Sequence, residues 1–234
     1  MKDQYFGDIN DYRKYGLLRA FFTASARKLL VAWMLTPNDG RRDGAIRTYL
    51  NRPEKWRRFD PELFDGLARL RASSSKPRVS LIESARLLPG TKFYSAVVPD
   101  SRGLREHWRD GLIKAASGAD LVLLDPDNGI EVPSRPAGRK DSSKYVFWEE
   151  IRSLWAARCS LLIYQHWRRE PREAFAEHIS YELWRRTGAP YLQAIRTPRV
   201  LFLLAGQQRH EDWLRGASSE LDIRWAGQIE IMRA

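Results

Sequence analysis

The polar residues best placed for chemistry follow an apolar run in the middle of the chain. Residues 121–124 form the kind of run that makes a strand buried on both faces, and Asp125-Pro126-Asp127-Asn128-Gly129 ends it. Pro126 removes a ladder donor, and Asn128-Gly129 tolerates a positive φ, so the strand is expected to stop there. In open α/β sheets, ligands bind at the carboxyl ends of the strands. This loop is therefore the first candidate site.

The loop crowds like charge, because Asp125, Asp127 and Glu131 lie within seven consecutive residues. Such crowding is unfavourable unless a cation, a hydrogen-bond donor or a substrate amine neutralises it. The alternative is a solvated turn, in which Asp, Asn and Gly are common. We interpret the loop as a site, and we expect Asp125→Ala to abolish activity with little loss of fold.

Two further polar stretches follow predicted strands. Thr36-Pro37-Asn38-Asp39-Gly40 comes after the apolar segment 28–35, and His166-Trp167-Arg168-Arg169 comes after the segment 160–165. Strands of one parallel sheet end at the same edge, so these stretches are expected to share a site with the acidic loop. His166 should emerge near Asp125, although a hydrogen-bonded structural histidine is the alternative.

A predicted first helix carries charges on one face. Asp8 or Asn10 can cap it, and it is expected to run to about Ala26. Asp8, Asp11 and Lys14 recur every three residues and share roughly one side. They form either an ion-pair ladder within the helix or a surface that offers Asp11 and Lys14 to a ligand, and the sequence leaves both open.

The order of elements predicts an α/β fold. Alternation of strands and helices favours a mostly parallel sheet with helices on both faces, ending in a C-terminal antiparallel hairpin. One domain is expected over residues 1–234, with an N-terminal helical segment at 1–27 and a basic loop at 133–144 that we interpret as a lid or substrate clamp contributing Lys144. The predicted strands are 28–35, 78–82, 92–98, 121–124, 160–165, 191–196, 200–205 and 223–231.

The charge balance points to an anionic partner. Lys and Arg outnumber Asp and Glu by 40 to 29, a net charge of +11, which attracts polyanions and makes nucleic acid the expected partner. Basic pairs such as Arg41-Arg42 and Arg168-Arg169 recur; an Arg-rich proteome is the alternative explanation. No run of 18 apolar residues and no signal-peptide segment is found, and Cys159 is the only cysteine, so a cytoplasmic protein without a membrane span is predicted.

The alternation followed by a hairpin resembles the class I S-adenosylmethionine-dependent methyltransferases, over about residues 28–205, and this resemblance implies a single-domain, mostly parallel, seven-stranded, Rossmann-like sheet whose sixth and seventh strands form the hairpin. In members that methylate nucleic-acid amines, the fourth strand ends in Asp/Asn-Pro-Pro-Tyr/Phe. Here Asp125 and Pro126 match this motif, while Asp127 and Asn128 depart from it. The first-strand turn has the single glycine Gly40 where the family has Gly-x-Gly.

The resemblance implies methyl transfer to a nucleic acid or another anionic substrate, with Asp125 orienting the acceptor amine and S-adenosylmethionine as cofactor. The catalytic residues would be Asp125, Pro126, Asp127, Asn128 and His166. The cofactor would be held by Thr36, Asn38, Asp39, Gly40 and Glu83, the last at the end of the second strand. The substrate would be held by Asp11, Lys14, Lys144, Trp167, Arg168 and Arg169.

Two other functions remain open. In a nuclease or phosphodiesterase, Asp39, Asp125, Asp127 and Glu131 would hold Mg²⁺, which prefers carboxylate, phosphate and water oxygens. A third possibility is a non-catalytic module that binds nucleic acid or protein on the same scaffold.

Overall fold

The computed structural model describes residues 1–23, 27–40, 46–74 and 76–232, and within them the chain forms eight α-helices and nine strands. The helices are α1 (Ile9–Thr23), α2 (Pro53–Trp56), α3 (Pro61–Ser73), α4 (Ser80–Ser84), α5 (Arg102–Ala115), α6 (Trp148–Ala156), α7 (Arg172–Thr187) and α8 (Glu211–Arg224). The strands are β1 (Leu29–Ala32), β2 (Thr91–Tyr94), β3 (Leu121–Leu124), β4 (Gly129–Ile130), β5 (Tyr145–Val146), β6 (Ser160–His166), β7 (Tyr191–Arg196), β8 (Val200–Gly206) and β9 (Glu230–Ile231).

The main sheet of the described residues has seven strands in the order β2-β1-β3-β6-β8-β7-β9. The pairs β1–β2, β1–β3 and β3–β6 are parallel, whereas β6–β8, β7–β8 and β7–β9 are antiparallel. The fold is therefore α/β, but the sheet is mixed, and the expectation of a mostly parallel sheet is wrong. The tight turn at residues 197–199 is the reason, because so short a connection can join only antiparallel strands.

Several strand boundaries differ from the sequence prediction. Residues 80–84 are the helix α4 and not a strand, since Val79 and Ile82 are buried three positions apart, on one helical face. The strand expected at 92–98 is β2 at residues 91–94, and that expected at 223–231 is reduced to β9 because α8 continues to Arg224. The hairpin is confirmed as β7 and β8. Arg41-Arg42 and the predicted helix end near residue 26 lie outside the described residues.

Helices cover both faces of the sheet, as alternation in β3 requires. Leu121 and Leu123 pack into a core with residues of α1, α3 and α8, whereas Val122 and Leu124 pack into a second core with α5, α6 and α7. All four β3 side chains are buried, which explains why an uninterrupted apolar run forms this strand.

The connections define where a ligand is expected. In the sheet, β2 lies on one side of β1 and β3 lies on the other. The direction in which successive strands are added therefore reverses between β1 and β3. Ligands of open α/β sheets bind outside the carboxyl ends of the strands at such a point. β7 runs parallel to β6, so its turn at 197–199 lies at the same edge. Among the described residues, the helices are too short or too polar to span a bilayer.

Candidate functional site

A cavity of about 670 Å³ lies at this carboxyl edge, and we call it the site cavity. It is lined by the segment 125–128 after β3, by the first turns of α1, by the end of β6 and by the β7–β8 turn. Carboxylates and lysines form its inner wall, and the outer residues include Lys144, Arg172 and Arg199. The position expected from the acidic loop is thus the position at which the fold leaves open space.

The inner wall contains a buried lysine between two carboxylates, which we call the floor network. Lys14 Nζ lies 2.6 Å from Asp125 Oδ2 and 2.8 Å from Asp11 Oδ1, and at most 4% of any of these side chains is exposed. Burial opposes the charged form of Lys14, but the attraction of Asp11 and Asp125 outweighs it and raises the pKa of the lysine. Lys14 therefore stays an ammonium and does not act as a base.

Three aromatic rings surround the same ammonium. Lys14 Nζ lies 5.4 Å from the ring centroid of Trp33, 5.5 Å from Tyr15 and 5.8 Å from Tyr164. Aromatic faces attract cations at such distances, most strongly where water is excluded. Both the rings and the carboxylates fix Lys14 in one position at the base of the cavity.

Asp8, immediately before α1, is a further buried carboxyl group that lines the cavity. It precedes the helix, and its Oδ1 accepts the backbone N–H groups of Asn10 and Asp11, each at 2.8 Å, as an N-cap does. Burial, followed by repulsion from the Asp11 carboxylate, raises the pKa of Asp8 to about 8. Asp8 thus exchanges its proton near neutral pH, as a general acid or base must.

A second lysine links carboxylates nearer the surface, in what we call the mouth network. Lys2 Nζ lies 2.9 Å from Asp39 Oδ2 and 3.3 Å from Asp127 Oδ2. Asp127 also accepts the Thr36 hydroxyl at 2.6 Å and lies 2.7 Å from the amino group of Met1. Burial alone would raise the pKa of Asp127, but the Met1 amino group, Thr36 and Lys2 together lower it.

The outer part of the cavity carries an imidazole and an indole beside basic residues. His166 is an exposed residue, but its imidazole ring packs edge-on against the ring of Tyr164, with 5.2 Å between the ring centroids. Burial of the imidazole away from water lowers its pKa. The guanidinium of Arg172 lies over the ring of Trp167 at 5.2 Å. The combination offers hydrogen bonds, positive charge and a flat apolar face to a ligand.

The predicted catalytic and substrate residues are mostly brought together. The four residues 125–128, His166, Asp11, Lys14, Lys144 and Trp167 all line the site cavity, whereas Arg168 and Arg169 are exposed outside its lining. Asp125 is not the exposed loop carboxylate that the sequence suggested: it is 2% exposed and holds Lys14. Asp125→Ala would leave that ammonium with one of its two carboxylates, so some loss of stability is expected with any loss of activity.

The predicted cofactor residues do not form a cradle. Glu83 lies in α4, not at a strand end, and its Oε1 accepts Trp33 Nε1 and the Ser95 hydroxyl. Thr36 donates to Asp127, and the backbone N–H of Gly40 donates to Gln4 Oε1 at 3.3 Å, whereas a Cβ added at Gly40 would meet no described atom within 4 Å. Only Asp39 of the five lines the site cavity. Four of the five residues therefore do not line the cavity, and the assignment of S-adenosylmethionine as cofactor stays a prediction.

The four carboxylates predicted for Mg²⁺ are engaged separately. Asp39 and Asp127 share Lys2, Asp125 pairs with Lys14, and Glu131 accepts the backbone N–H of Trp148 at 2.7 Å. Among the described residues, no group of three or more His, Cys, Asp or Glu side chains is arranged to hold a metal ion. The four residues therefore do not make one metal site.

Four contributors were not singled out by the sequence reasoning: Asp8 as a proton-exchanging group, Tyr164, Arg172 and Arg199. The sequence reasoning recognised Asp8 as a possible helix cap and as a member of the charged face with Asp11 and Lys14, but gave it no role in proton exchange. Arg199 lies in the hairpin turn, and only the direction of β7 brings that turn to the cavity.

A hydrogen-bonded Ser–His–Asp series occurs at the opposite edge of the sheet. Ser160 Oγ lies 2.8 Å from His210 Nδ1, and His210 Nε2 lies 3.1 Å from Asp120 Oδ1. Ser160 and His210 are 0% exposed. A nucleophile without surface cannot meet a substrate, so this series ties α8 to β3 and β6.

The chain was compared with known proteins. No family model matches it, and no curated protein is detectably similar.

Proposed function

We propose that the chain is an enzyme that cleaves phosphoesters in nucleotides or nucleic acids, with Asp8 as its proton-transferring group. The observation that carries the proposal is a buried carboxyl group with a pKa of about 8 in a cavity at the reversal of strand order. Strongly shifted pKa values concentrate at catalytic sites, because the acid or base must exchange its proton at the working pH.

The basic outer residues support an anionic substrate. Arg172 and Arg199 line the cavity, are exposed and have no ion-pair partner in the part of the chain that the structure describes. Arginine matches phosphate by donating two parallel N–H bonds. The Trp167 ring beneath Arg172 offers a stacking face for a nucleobase.

In the proposed reaction, water attacks phosphorus while the bond to the leaving alcohol breaks. Protonated Asp8 gives its proton to the leaving oxygen and recovers one from the attacking water. Lys14 holds Asp11 and Asp125 in place by ion pairs. Burial, together with repulsion from the Asp11 carboxylate, raises the pKa of Asp8. Arg172 and Arg199 hold the phosphate charge that grows in the transition state.

The test is hydrolysis of bis(p-nitrophenyl) phosphate and of a labelled oligonucleotide. Asp8→Asn keeps the cap acceptor but cannot donate the proton, so kcat should fall by about 10²-fold or more. In the unmodified chain kcat should fall as pH rises through about 8, because the acid form of Asp8 is lost. Asp110→Asn, at an exposed aspartate outside the cavity, should leave kcat unchanged. Equal rates for Asp8→Asn and the unmodified chain would refute the role of Asp8.

Methyl transfer is a second candidate, favoured by one observation. Asp125 and Pro126 reach a cavity beside an antiparallel hairpin at the sheet edge, as the resemblance to Rossmann-like methyltransferases implies. Transfer of a labelled methyl group from S-adenosylmethionine to nucleic acid, lost in Asp39→Ala, would support it. Methyl transfer without phosphoester cleavage would replace the first proposal.

A further inference from the structure

A second cavity of about 530 Å³ lies between α5, α6 and the loop 133–144. Its lining includes Arg102, Arg152, Arg186 and Trp148. The strands β4 and β5 run from one cavity to the other: Asn128 and Lys144 line the site cavity, while Glu131 and Phe147 line the second. The two cavities therefore lie at opposite ends of a short two-stranded ribbon.

Each cavity contains an arginine of α7 lying over a tryptophan. Arg172 lies 5.2 Å above Trp167 in the site cavity, and Arg186 lies 4.5 Å above Trp148 in the second. The two arginines are fourteen positions apart in one helix, which corresponds to about 20 Å at about 1.5 Å per residue. The fold thus repeats the same cation–aromatic pair at both ends of α7.

The charges around the second cavity leave arginines free of partners. Glu150 pairs with Arg105, Glu149 pairs with Arg109, and Glu131 accepts the first N–H of α6. Arg102 and Arg152 are exposed and form no ion pair within the described ranges. Glu106 is the one acidic residue of the described lining that remains after these pairs are counted. The loop between the cavities adds three exposed cations, namely Arg135, Arg139 and Lys140.

We propose that the two cavities are one binding track for a single-stranded nucleic acid, with the second cavity as a distal subsite for phosphate and base. Arginine and tryptophan pairs bind unstacked bases and phosphates without reading sequence, whereas duplex bases are not free to stack on them. At the stacked rise of about 3.4 Å per nucleotide, a separation of about 20 Å corresponds to at most about six nucleotides, and an extended strand with unstacked bases covers it with fewer. The track names the substrate class of the proposed phosphoesterase, and in this respect the inference rests on the proposed function. Binding to the track does not itself depend on cleavage.

The test is fluorescence anisotropy with fluorescein-labelled oligothymidylates of two and of twelve nucleotides, on the full chain, with probe integrity checked on a gel. The longer probe should bind at least about tenfold more tightly, because it alone reaches both stacking pairs. The double substitution Arg102→Ala with Arg152→Ala should remove most of that advantage and leave the dinucleotide affinity unchanged. The salt slope for the longer probe should fall by about 0.7 for each arginine lost.

Arg69→Ala is the matched control, because Arg69 is an exposed arginine of α3 on the opposite face of the sheet. It should not change binding of either probe. Equal affinity for both probes, or unchanged binding of the longer probe by the double variant, would overturn the track. So would an equal loss in Arg69→Ala, which would indicate net charge alone.

The two proposals fail separately. Cleavage of bis(p-nitrophenyl) phosphate without length-dependent binding would overturn the track and leave the phosphoesterase. Length-dependent binding without any cleavage would support the track as a binding surface and refute the enzyme.

Discussion

Two lysines hold pairs of carboxylates in this protein, and they differ in how far water reaches them. In the floor network, Lys14, Asp11 and Asp125 are at most 4% exposed at their side chains. In the mouth network, Lys2 and Asp127 are 7% and 6% exposed at their side chains, and water reaches the network only at Asp39, whose side chain is 30% exposed. The chemistry of the pairs is the same, but the medium around them is not.

The difference teaches that burial decides what an ion pair does. A buried pair adds little net stability over apolar residues, yet removing one partner strands a charge and is strongly destabilising. A pair reached by water is screened, and its loss is nearly neutral. The floor network is therefore expected to hold α1 against β3, whereas the mouth network orders the loop after β1.

The largest effect is expected for Lys14→Met, which keeps the length of the side chain but leaves Asp11 and Asp125 without their cation. The free energy of unfolding should fall by about 3–5 kcal/mol, measured by urea denaturation. Adding Asp125→Asn should restore part of the loss, because one stranded charge is removed. If Lys14→Met unfolds at the same urea concentration as the unmodified chain, the floor network is not structural.

An intermediate effect is expected for Asp8, whose carboxyl group is next to the floor network but has no lysine of its own. Its folded pKa of about 8 lies above its ordinary value of 3.8, so the folded state binds its proton more tightly. Its contribution is complete below about pH 4 and is lost as pH rises through about 8. Asp8→Asn should remove this loss of stability between about pH 4 and about pH 8. Unfolding curves at several pH values measure the loss, and parallel pH profiles would contradict the assignment.

The smallest effect is expected for Lys2→Met in the mouth network, a loss of about 1 kcal/mol or less, because Asp127 keeps the Met1 amino group and the Thr36 hydroxyl as partners and water reaches Asp39. The pKa of Asp127 is lowered in the folded state, so its pairing contributes above about pH 4 and is lost as pH falls through the folded pKa. A loss as large as that of Lys14→Met would erase the distinction between the networks.

Local patterns were enough for much of the fold. The apolar run 121–124, the Pro61-initiated helix and the hairpin around residues 197–199 were predictable, because each depends on neighbouring residues. The segment 78–82 was not, since five residues with apolar side chains at positions 79, 81 and 82 fit a strand or a helix equally well. The sheet is mixed because β8 of the hairpin lies between β6 and β7 and is antiparallel to both. That position depends on the pairing of β8 with β6, which the residues of the turn do not specify.

The candidate site divides in the same way. An acidic turn after a buried strand predicted the position of the cavity, and it did so because parallel strands end at one edge. The alternative left open for Asp11 and Lys14 was decided by a residue 111 positions away, Asp125. The pKa of Asp8 likewise depends on burial under elements distant in sequence.

The sequence by itself determined most of the helices and strands, the edge of the sheet at which the cavity lies and the positive charge of the molecule, because these follow from composition and short-range spacing. The tertiary structure decided which carboxylates are neutralised by lysine and which one keeps an exchangeable proton. It also decided that two cavities face the same helix. Those properties depend on water exclusion and on distances of a few ångströms between residues far apart in the chain, and spacing along the sequence does not encode them.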